Sequence, residues 1–184
     1  MSHERWKEAR LATLPVFDPE DVVQVEQIEP SPPANERSLA RRVAVQVLYE
    51  VDAAQHPVAA VLTRHIIERE PPRQVVRYLR KLVEGIAEHR PTIDTAIVKY
   101  APDFPLEQIA FVDRAILCIG IYEFAISARV PVSVAINEAV ELAKHFGAEG
   151  SAAFVNGVLG AVADDPALLG QLHQPSGDDE DDET

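Results

Sequence analysis

Residues 112–127 have the sequence VDRAILCIGIYEFAIS, the most apolar stretch of the 184-residue chain. Its centre, residues 115–122, carries no charge, but Asp113, Arg114 and Glu123 flank it closely. A membrane-spanning helix needs about 18 or more consecutive apolar residues. The stretch is therefore predicted to be a helix buried in a protein core, and hydrophobic residues, at 47% of the chain, suffice to build that core.

Three helices are predicted before this stretch. Asn35 is a good N-cap for the first, whose apolar residues recur at helical spacing. His56-Pro57 begins the second, with proline at its first position. A third follows Pro72, and Pro91 predicts either a kink in it or its end.

After the stretch, two more helices are predicted, from Ser133 to about His145 and from Ser151 to about Ala163. Both serines are interpreted as N-caps, and Gly147 as a left-handed residue closing the first of these helices. No segment alternates with the period of a β-strand. The predicted fold is all-α, a compact bundle of about seven helices in two packed halves that divide near residues 91–105.

The net charge of −13 is concentrated at the two ends of the chain. Residues 164–184 contain eight acidic and no basic side chains, and residues 1–35 contain seven acidic and three basic ones. Residues 36–163 are nearly neutral. We therefore expect a largely flexible N-terminal extension at 1–35, a helical domain at 36–163 and an acidic disordered tail at 164–184.

The sequence contains no recognisable catalytic constellation. The single cysteine, Cys118, excludes an internal disulfide and a cysteine-cluster zinc site. Glu141 and His145 are one helical turn apart, but a metal site needs further ligands that the sequence does not supply. We predict no catalytic residue, metal or cofactor. Because no catalytic constellation is found, we expect a binding protein that is not an enzyme. Because no signal peptide or membrane span is visible, we expect it in the cytoplasm.

Two clusters are candidates for nucleic-acid binding. Arg37, Arg41 and Arg42 lie at the start of the first helix. The helix dipole favours anions there, so three positive charges are locally unfavourable. Their presence suggests a function such as contact with a phosphate. A solvated cationic face explains them equally well. The second cluster joins Phe146, Phe154 and Asn156 across a tight turn, where an aromatic ring and an amide could hold an unpaired base. The alternative is that both rings are core residues.

A third basic group lies on the third helix and is interpreted mainly as solvated surface. It comprises Arg73, Arg77, Arg80 and Lys81.

Several motifs, in order along residues 36–163, resemble the NusB family of transcription antitermination factors. They include AVQVLY at 44–49, VDRAIL at 112–117, VPVSVAINEAVELAK at 130–144 and FVNGVL at 154–159. The resemblance implies a two-half helical fold and no catalysis. It also implies binding of single-stranded boxA-type RNA with a small-subunit ribosomal protein, NusE, in the RNA polymerase antitermination complex. The family includes monomers and homodimers.

The resemblance also implies site residues. It indicates that the arginine-rich helix start, Arg37 and Arg41 with Arg42 beside them, contacts RNA phosphates. Phe154 and Asn156 match the RNA-contacting turn and last helix of the family. The resemblance places Tyr49 and Asp113 against the ribosomal protein.

The chain departs from the family pattern where Ser38 and Leu39 replace a denser arginine run. It departs again in the turn, at Gly150, Ala152 and Ala153. Fewer cations release fewer counterions, so we expect weaker RNA binding or more dependence on the partner. Two alternatives therefore stay open: an RNA-binding adaptor of the kind attached to ribosomal RNA methyltransferases, and a protein–protein scaffold without RNA binding.

Overall fold

The structure, a computed structural model, describes residues 33–173, and its regular elements in that range are all helical. The eight α-helices are α1 Glu36–Ala54, α2 Val58–Arg69, α3 Arg73–Glu88, α4 Arg90–Tyr100, α5 Phe111–Ile121, α6 Val132–Phe146, α7 Ser151–Ala163 and α8 Pro166–Leu172. A 3₁₀-helix, Leu106–Gln108, precedes α5. The all-α prediction is confirmed, with one helix more than the seven expected. The predicted flexible extension at 1–35 lies almost wholly outside the described residues.

Helix α5 lies in the core, as its apolar sequence predicts, and every residue from Ala115 to Ile126 is buried. After Ile121 the helix widens into a π-helical turn, Tyr122–Ile126. The Ser127 N–H donates to the Tyr122 carbonyl at 2.8 Å and closes this turn. Such turns are rare and are found frequently at functional sites.

The helices form two groups that meet at α1 and α5. Helix α1 contacts α2 and α3 within the first group, and it also contacts α5. Helix α5 contacts α4, α6 and α7 of the second group. Between the groups, α3 ends at Glu88 and α4 begins at Arg90. The helix therefore ends just before Pro91 and does not continue through a kink.

Helix starts follow the predicted chemistry at α1 but not at α6. The Ser38 N–H donates to Asn35 Oδ1 at 2.9 Å, which satisfies one backbone donor that the first turn leaves unpaired. The cap of α6 is Pro131, two residues before the predicted Ser133. Proline at that position has the extended backbone that a helix entry needs, and it has no N–H to satisfy.

The turn between α6 and α7 also differs from the prediction. Gly147 is extended, with φ −84° and ψ 173°, and the left-handed residue is Gly150, with φ 91°, which caps α7. Gly147 is required for space instead, since a Cβ there would lie 2.4 Å from the Ser151 Cβ. Ser151 is the first residue of α7, and its hydroxyl accepts from the Ala148 N–H at 3.0 Å.

Helix α8 lies within the segment predicted as a disordered tail, so the helical domain extends past the expected boundary at 164. The Asp165 carboxylate caps it by accepting from the Leu168 N–H at 3.0 Å. Lys99 of α4 lies 2.8 Å from the same carboxylate and holds the pKa of Asp165 below its ordinary range. Leu172 is buried. Residues 174–184, the rest of the predicted tail, lie outside the described part of the chain.

Helix α7 is apolar because it contributes to the core, where Val155, Val158 and Leu159 are buried. Within residues 33–173 no single helix is long and apolar enough to cross a membrane. Only α7 and α8 taken together pass such a test, by length and composition, and they are bent by 85° where they join.

Candidate nucleic-acid and partner interfaces

A cleft with four cationic side chains opens beside the start of α1. Arg37 comes from α1, Arg77 and Lys81 from α3, and Arg129 from the loop after the π-helical turn. All four residues are exposed, and the cleft has a volume of about 230 Å³. The lining is completed by Glu36, Gln74, Tyr78 and Val130. We call this site the basic cleft, since four of its eight lining residues are cationic.

Arg37 is held against one wall of the basic cleft. Its guanidinium carbon lies 5.3 Å from the centroid of the Tyr78 ring, within the range of a cation–π interaction. The contact limits the conformations of a long side chain that would otherwise move freely. Arg37 is therefore positioned at the surface, where the sequence predicts a phosphate contact.

Arg41 lies on the same side of α1 but is buried, with 3% of its surface exposed. Its Nε lies 2.9 Å from both carboxylate oxygens of Glu123, and its Nη1 lies 3.0 Å from Glu138. Burial disfavours its charge, but the Glu123 carboxylate outweighs this and raises the pKa of Arg41. With its guanidinium engaged by two carboxylates, Arg41 does not present the phosphate contact that the sequence predicts.

Further hydrogen bonds surround this ion pair. The Tyr78 hydroxyl donates to Glu123, which is 1% exposed. Burial is the largest cause that raises the pKa of Tyr78, and the neighbouring Glu123 charge adds to it. The Ser38 hydroxyl donates to Glu138 at 2.9 Å. Arg41, Tyr78, Glu123, Glu138 and Ser38 are called the buried polar cluster below.

Arg42 lies on a different side of α1 from Arg37, because five residues turn a helix by about 140°. It is half-buried near the end of α6, where burial and then the charge of Arg42 lower the pKa of His145. The His145 ring makes an edge-on contact with Phe146, with ring centroids 4.4 Å apart. The three arginines of the predicted cluster thus have three different environments.

Phe154 and Asn156 lie on different sides of α7, since two residues turn a helix by about 200°. Phe154 is half-buried and makes an edge-on contact with Phe104, with ring centroids 5.4 Å apart. Asn156 is exposed. Phe146 is half-buried and packs against the core. The structure therefore does not join Phe154 and Asn156 in one cluster, and it adds Phe104, which is 49% exposed, to the Phe154 side.

The two residues predicted to face a protein partner, Tyr49 and Asp113, belong to a region with a second aromatic pair, of which Tyr49 is one member. Tyr49, 46% exposed, makes an edge-on contact with Phe111, 43% exposed, with ring centroids 6.3 Å apart. Asp113 is in the first turn of α5, two residues after Phe111. Its Oδ1 is buried without a hydrogen-bond partner in the described range. Tyr49, Phe111 and Asp113 are called the aromatic–acidic face.

Sequence reasoning missed the residues that complete these surfaces. Arg77 and Lys81 were assigned to a solvated stripe, and Arg129, Phe104 and Phe111 were not singled out. Arg129 joins the basic cleft through the tertiary fold, which no spacing in the sequence reveals. An available signal for Phe104 and Phe111 was the occurrence of a large aromatic side chain in a segment without apolar periodicity.

The comparisons with known proteins agree on one family. The NusB family model matches residues 38–164. A transcription antitermination protein NusB from Roseiflexus castenholzii is 44% identical over 131 residues, covering 70% of this chain and 92% of the relative. The NusB structure from T. maritima has a TM-score of 0.66 and 28% identity, covering 74% of this chain and 97% of that one.

A further solved structure contains the antitermination factors NusB and NusE in complex with double-stranded RNA. Its matching chain has a TM-score of 0.64 and 26% identity, with 69% of this chain and 95% of that chain covered. The relatives are antitermination proteins, which confirms the prediction of a transcription factor that is not an enzyme. From the ordered motifs, the helical fold and these matches together, the chain belongs to the NusB family.

Proposed function

We propose that this NusB-family chain is a transcription antitermination factor that acts in the cytoplasm by binding boxA-type single-stranded RNA together with the ribosomal protein NusE. The single observation that carries the RNA assignment is the convergence of exposed cations around Arg37. A concave surface with one sign of charge concentrates its potential and attracts a polyanion. The solved complex of NusB and NusE with double-stranded RNA supports the pairing of these two ligands.

The proposed RNA contacts start at Arg37 and include the half-buried Arg42, the ring of Phe154 and the exposed Asn156, which lie on different faces of α1 and α7. Phe104 extends the Phe154 ring into an exposed aromatic surface on which a base can stack. Arg41 is assigned no phosphate contact. Its part is to hold the buried polar cluster that fixes Tyr78, and Tyr78 in turn supports Arg37.

The proposed NusE contact is the aromatic–acidic face. Interface cores are enriched in aromatic residues, and Tyr49 and Phe111 expose theirs side by side. Tyr49 is twelve residues after Arg37 on α1, which places it about 18 Å farther along the helix axis. RNA and the protein partner therefore have room to bind simultaneously. The proposal extends to assembly of this complex with RNA polymerase. Whether the protein is a monomer or a homodimer is measured by light scattering of the purified chain.

The second candidate function is a protein–protein scaffold that has lost RNA binding. The observation in its favour is that Arg37 is the only exposed arginine of α1, since Arg41 is buried and Arg42 is half-buried. The adaptor role of methyltransferase-linked relatives has no separate observation in its support.

The test is fluorescence anisotropy of a labelled boxA-type RNA at two salt concentrations, with and without purified NusE. Antitermination predicts that RNA binding tightens with NusE and weakens with salt. Binding of NusE with no RNA affinity in either condition would contradict the proposal and select the scaffold. A scrambled RNA of the same length controls for non-specific attraction.

A further inference from the structure

We propose that the basic cleft is a binding site for a backbone phosphate of the RNA, and that Arg77, Lys81 and Arg129 contact the RNA with Arg37. The inference rests on the proposed function and deepens it, since it adds residues from α3 and from the loop before α6. Arg37 of α1 thereby becomes one of four contacts in a site built from α1, α3 and the loop before α6.

The first argument is the charge balance of the cleft. Four cationic side chains line a volume of about 230 Å³ with Glu36 as the single carboxylate among the lining residues. A concave surface lined mainly by cationic side chains concentrates positive potential and attracts an anion. The concave shape also excludes part of the water that would screen a phosphate on a flat surface.

The second argument is preorganisation. Tyr78 touches both regions: its ring lies 5.3 Å from the Arg37 guanidinium and 5.7 Å from that of Arg41. Its hydroxyl donates to Glu123 in the buried polar cluster. Because the ring is fixed from below, Arg37 is held in place before RNA arrives, so less entropy is lost on binding. We therefore assign Tyr78 as a positioning residue.

The third argument concerns the loop that carries Arg129. Ala128 adopts φ 49°, a left-handed conformation that is costly for alanine. Val130 comes next, is buried, and its N–H donates to the Glu123 carbonyl at 3.4 Å. Arg129 is thus held between a strained residue and a buried one at the edge of the cleft. Residues in strained conformations occur preferentially at binding sites.

The experiment compares RNA affinity across variants of the full chain in the presence of NusE. The combined variant Arg77→Ala, Lys81→Ala and Arg129→Ala removes three cations of the cleft and retains Arg37. The matched control is Arg73→Ala with Arg80→Ala, which removes two exposed cations of α3 outside the cleft. A Tyr78→Leu variant tests positioning, and Tyr78→Phe keeps the ring as its conservative counterpart.

We expect the triple variant to bind at least tenfold more weakly and to lose about 0.7 from the slope of log affinity against log salt for each phosphate contact. The control is expected to change affinity less than threefold with the same slope. Tyr78→Leu should weaken binding as Arg37→Ala does, and Tyr78→Phe should bind as the wild type. Thermal midpoints identify any variant that fails to fold, and the single substitutions then replace the triple variant.

The outcomes separate this inference from the function on which it rests. If wild-type protein and NusE bind no RNA, the proposed function fails. If the wild type binds RNA and Arg37→Ala weakens binding, but the triple variant equals the control, the function stands and the cleft assignment is wrong. Loss of NusE binding by the triple variant in the absence of RNA would identify the cleft as a protein contact and would also overturn the inference.

Discussion

The basic cleft and the buried polar cluster lie on two sides of the same tyrosine. Arg37 lines the basic cleft and Arg41, one helical turn later, belongs to the buried polar cluster. The Arg37 side chain is exposed, whereas the Arg41 guanidinium is held by two carboxylates. The difference is made by Glu123 and Glu138, which the fold brings from the π-helical turn and from α6. An arginine at a helix start therefore indicates an RNA contact only when no carboxylate of the same protein reaches it first.

The most severe test of this comparison removes the carboxylate beneath Arg41. Glu123→Ala leaves a buried guanidinium without its main partner, and such a change costs about 3–5 kcal/mol in the free energy of unfolding. Urea denaturation measures the loss. The control is Glu84→Ala, since Glu84 is exposed and lies 3.7 Å from Arg80, where a pair contributes less than about 1 kcal/mol. Equal losses in the two variants would show that Arg41 is not dependent on Glu123.

A smaller effect is expected from separating the two functions of Tyr78. Tyr78→Phe removes the hydrogen bond to the Glu123 carboxylate, and a bond to a charged group contributes about 1.5–3 kcal/mol. The ring that supports Arg37 stays in place. Denaturation and RNA anisotropy, measured on the same preparation, should show lower stability with unchanged salt dependence. Unchanged stability with weaker RNA binding would move the hydroxyl from the buried cluster to the RNA site.

Arg37→Ala tests the exposed side of the comparison. An exposed side chain away from the core changes stability by about 0.5 kcal/mol or less. Its loss should reduce the salt slope of RNA binding by about 0.7, as expected for one contact to a single strand. Anisotropy over a series of salt concentrations measures the slope. A drop in the free energy of unfolding comparable to that of Glu123→Ala would mean that Arg37 is structural as well.

The smallest effect is expected at a third ionic cluster, where α1 meets α2 nearer the surface. Hydrogen bonds from His56, Arg64 and His65 lower the pKa of Glu50 from 4.5 to about 2. Because the folded state binds this proton more weakly than the unfolded state, Glu50 stabilises the fold above pH 4.5. That contribution is lost as the pH falls towards about 2.

The pH dependence is checked by comparing wild type with Glu50→Gln from near neutral pH down to about pH 2, the folded-state pKa of Glu50. The wild type should be the more stable protein near neutral pH, and the difference should shrink as the pH falls below 4.5. A difference that is constant over this interval would show that the carboxylate charge is not what stabilises the contact between α1 and α2.

Apolar periodicity was sufficient to predict most of the helices and the core position of α5, and capping chemistry was sufficient at the start of α1. They failed where a side chain is defined by partners far away in the sequence. Arg41 precedes Ala44, Val45 and Leu48 at the spacing of the buried face, so its burial had a signal. Its carboxylate partners had none. The start of α8 also had a signal in the sequence, since Asp165 is a favourable N-cap and Pro166 a favourable first helical residue. The acidic composition of residues 164–184 led instead to the prediction of a disordered tail.

Gly147 and Gly150 illustrate a second limit. Both glycines lie after α6, and a left-handed residue was expected at the first of them. The structure uses Gly150 for the positive φ and Gly147 for the close approach of Ser151. Composition cannot distinguish these two requirements, because both are met by the same missing side chain.

The π-helical turn at Tyr122–Ile126 has a consequence for how this surface can change through evolution. In that turn the Glu123 carbonyl accepts from the Ser127 hydroxyl at 3.0 Å and from the Val130 N–H, so the backbone of Glu123 anchors the segment carrying Arg129. A one-residue deletion would restore regular α-helical bonding and rotate the downstream segment by about 100°. Glu123 would still hold Arg41, but Arg129 would leave the cleft. The same rotation would shift Phe124, Ala125 and Ile126, which are buried. The position of Arg129 and the packing of the core therefore depend on the same turn, so this turn cannot become a regular α-helix without repacking of the core.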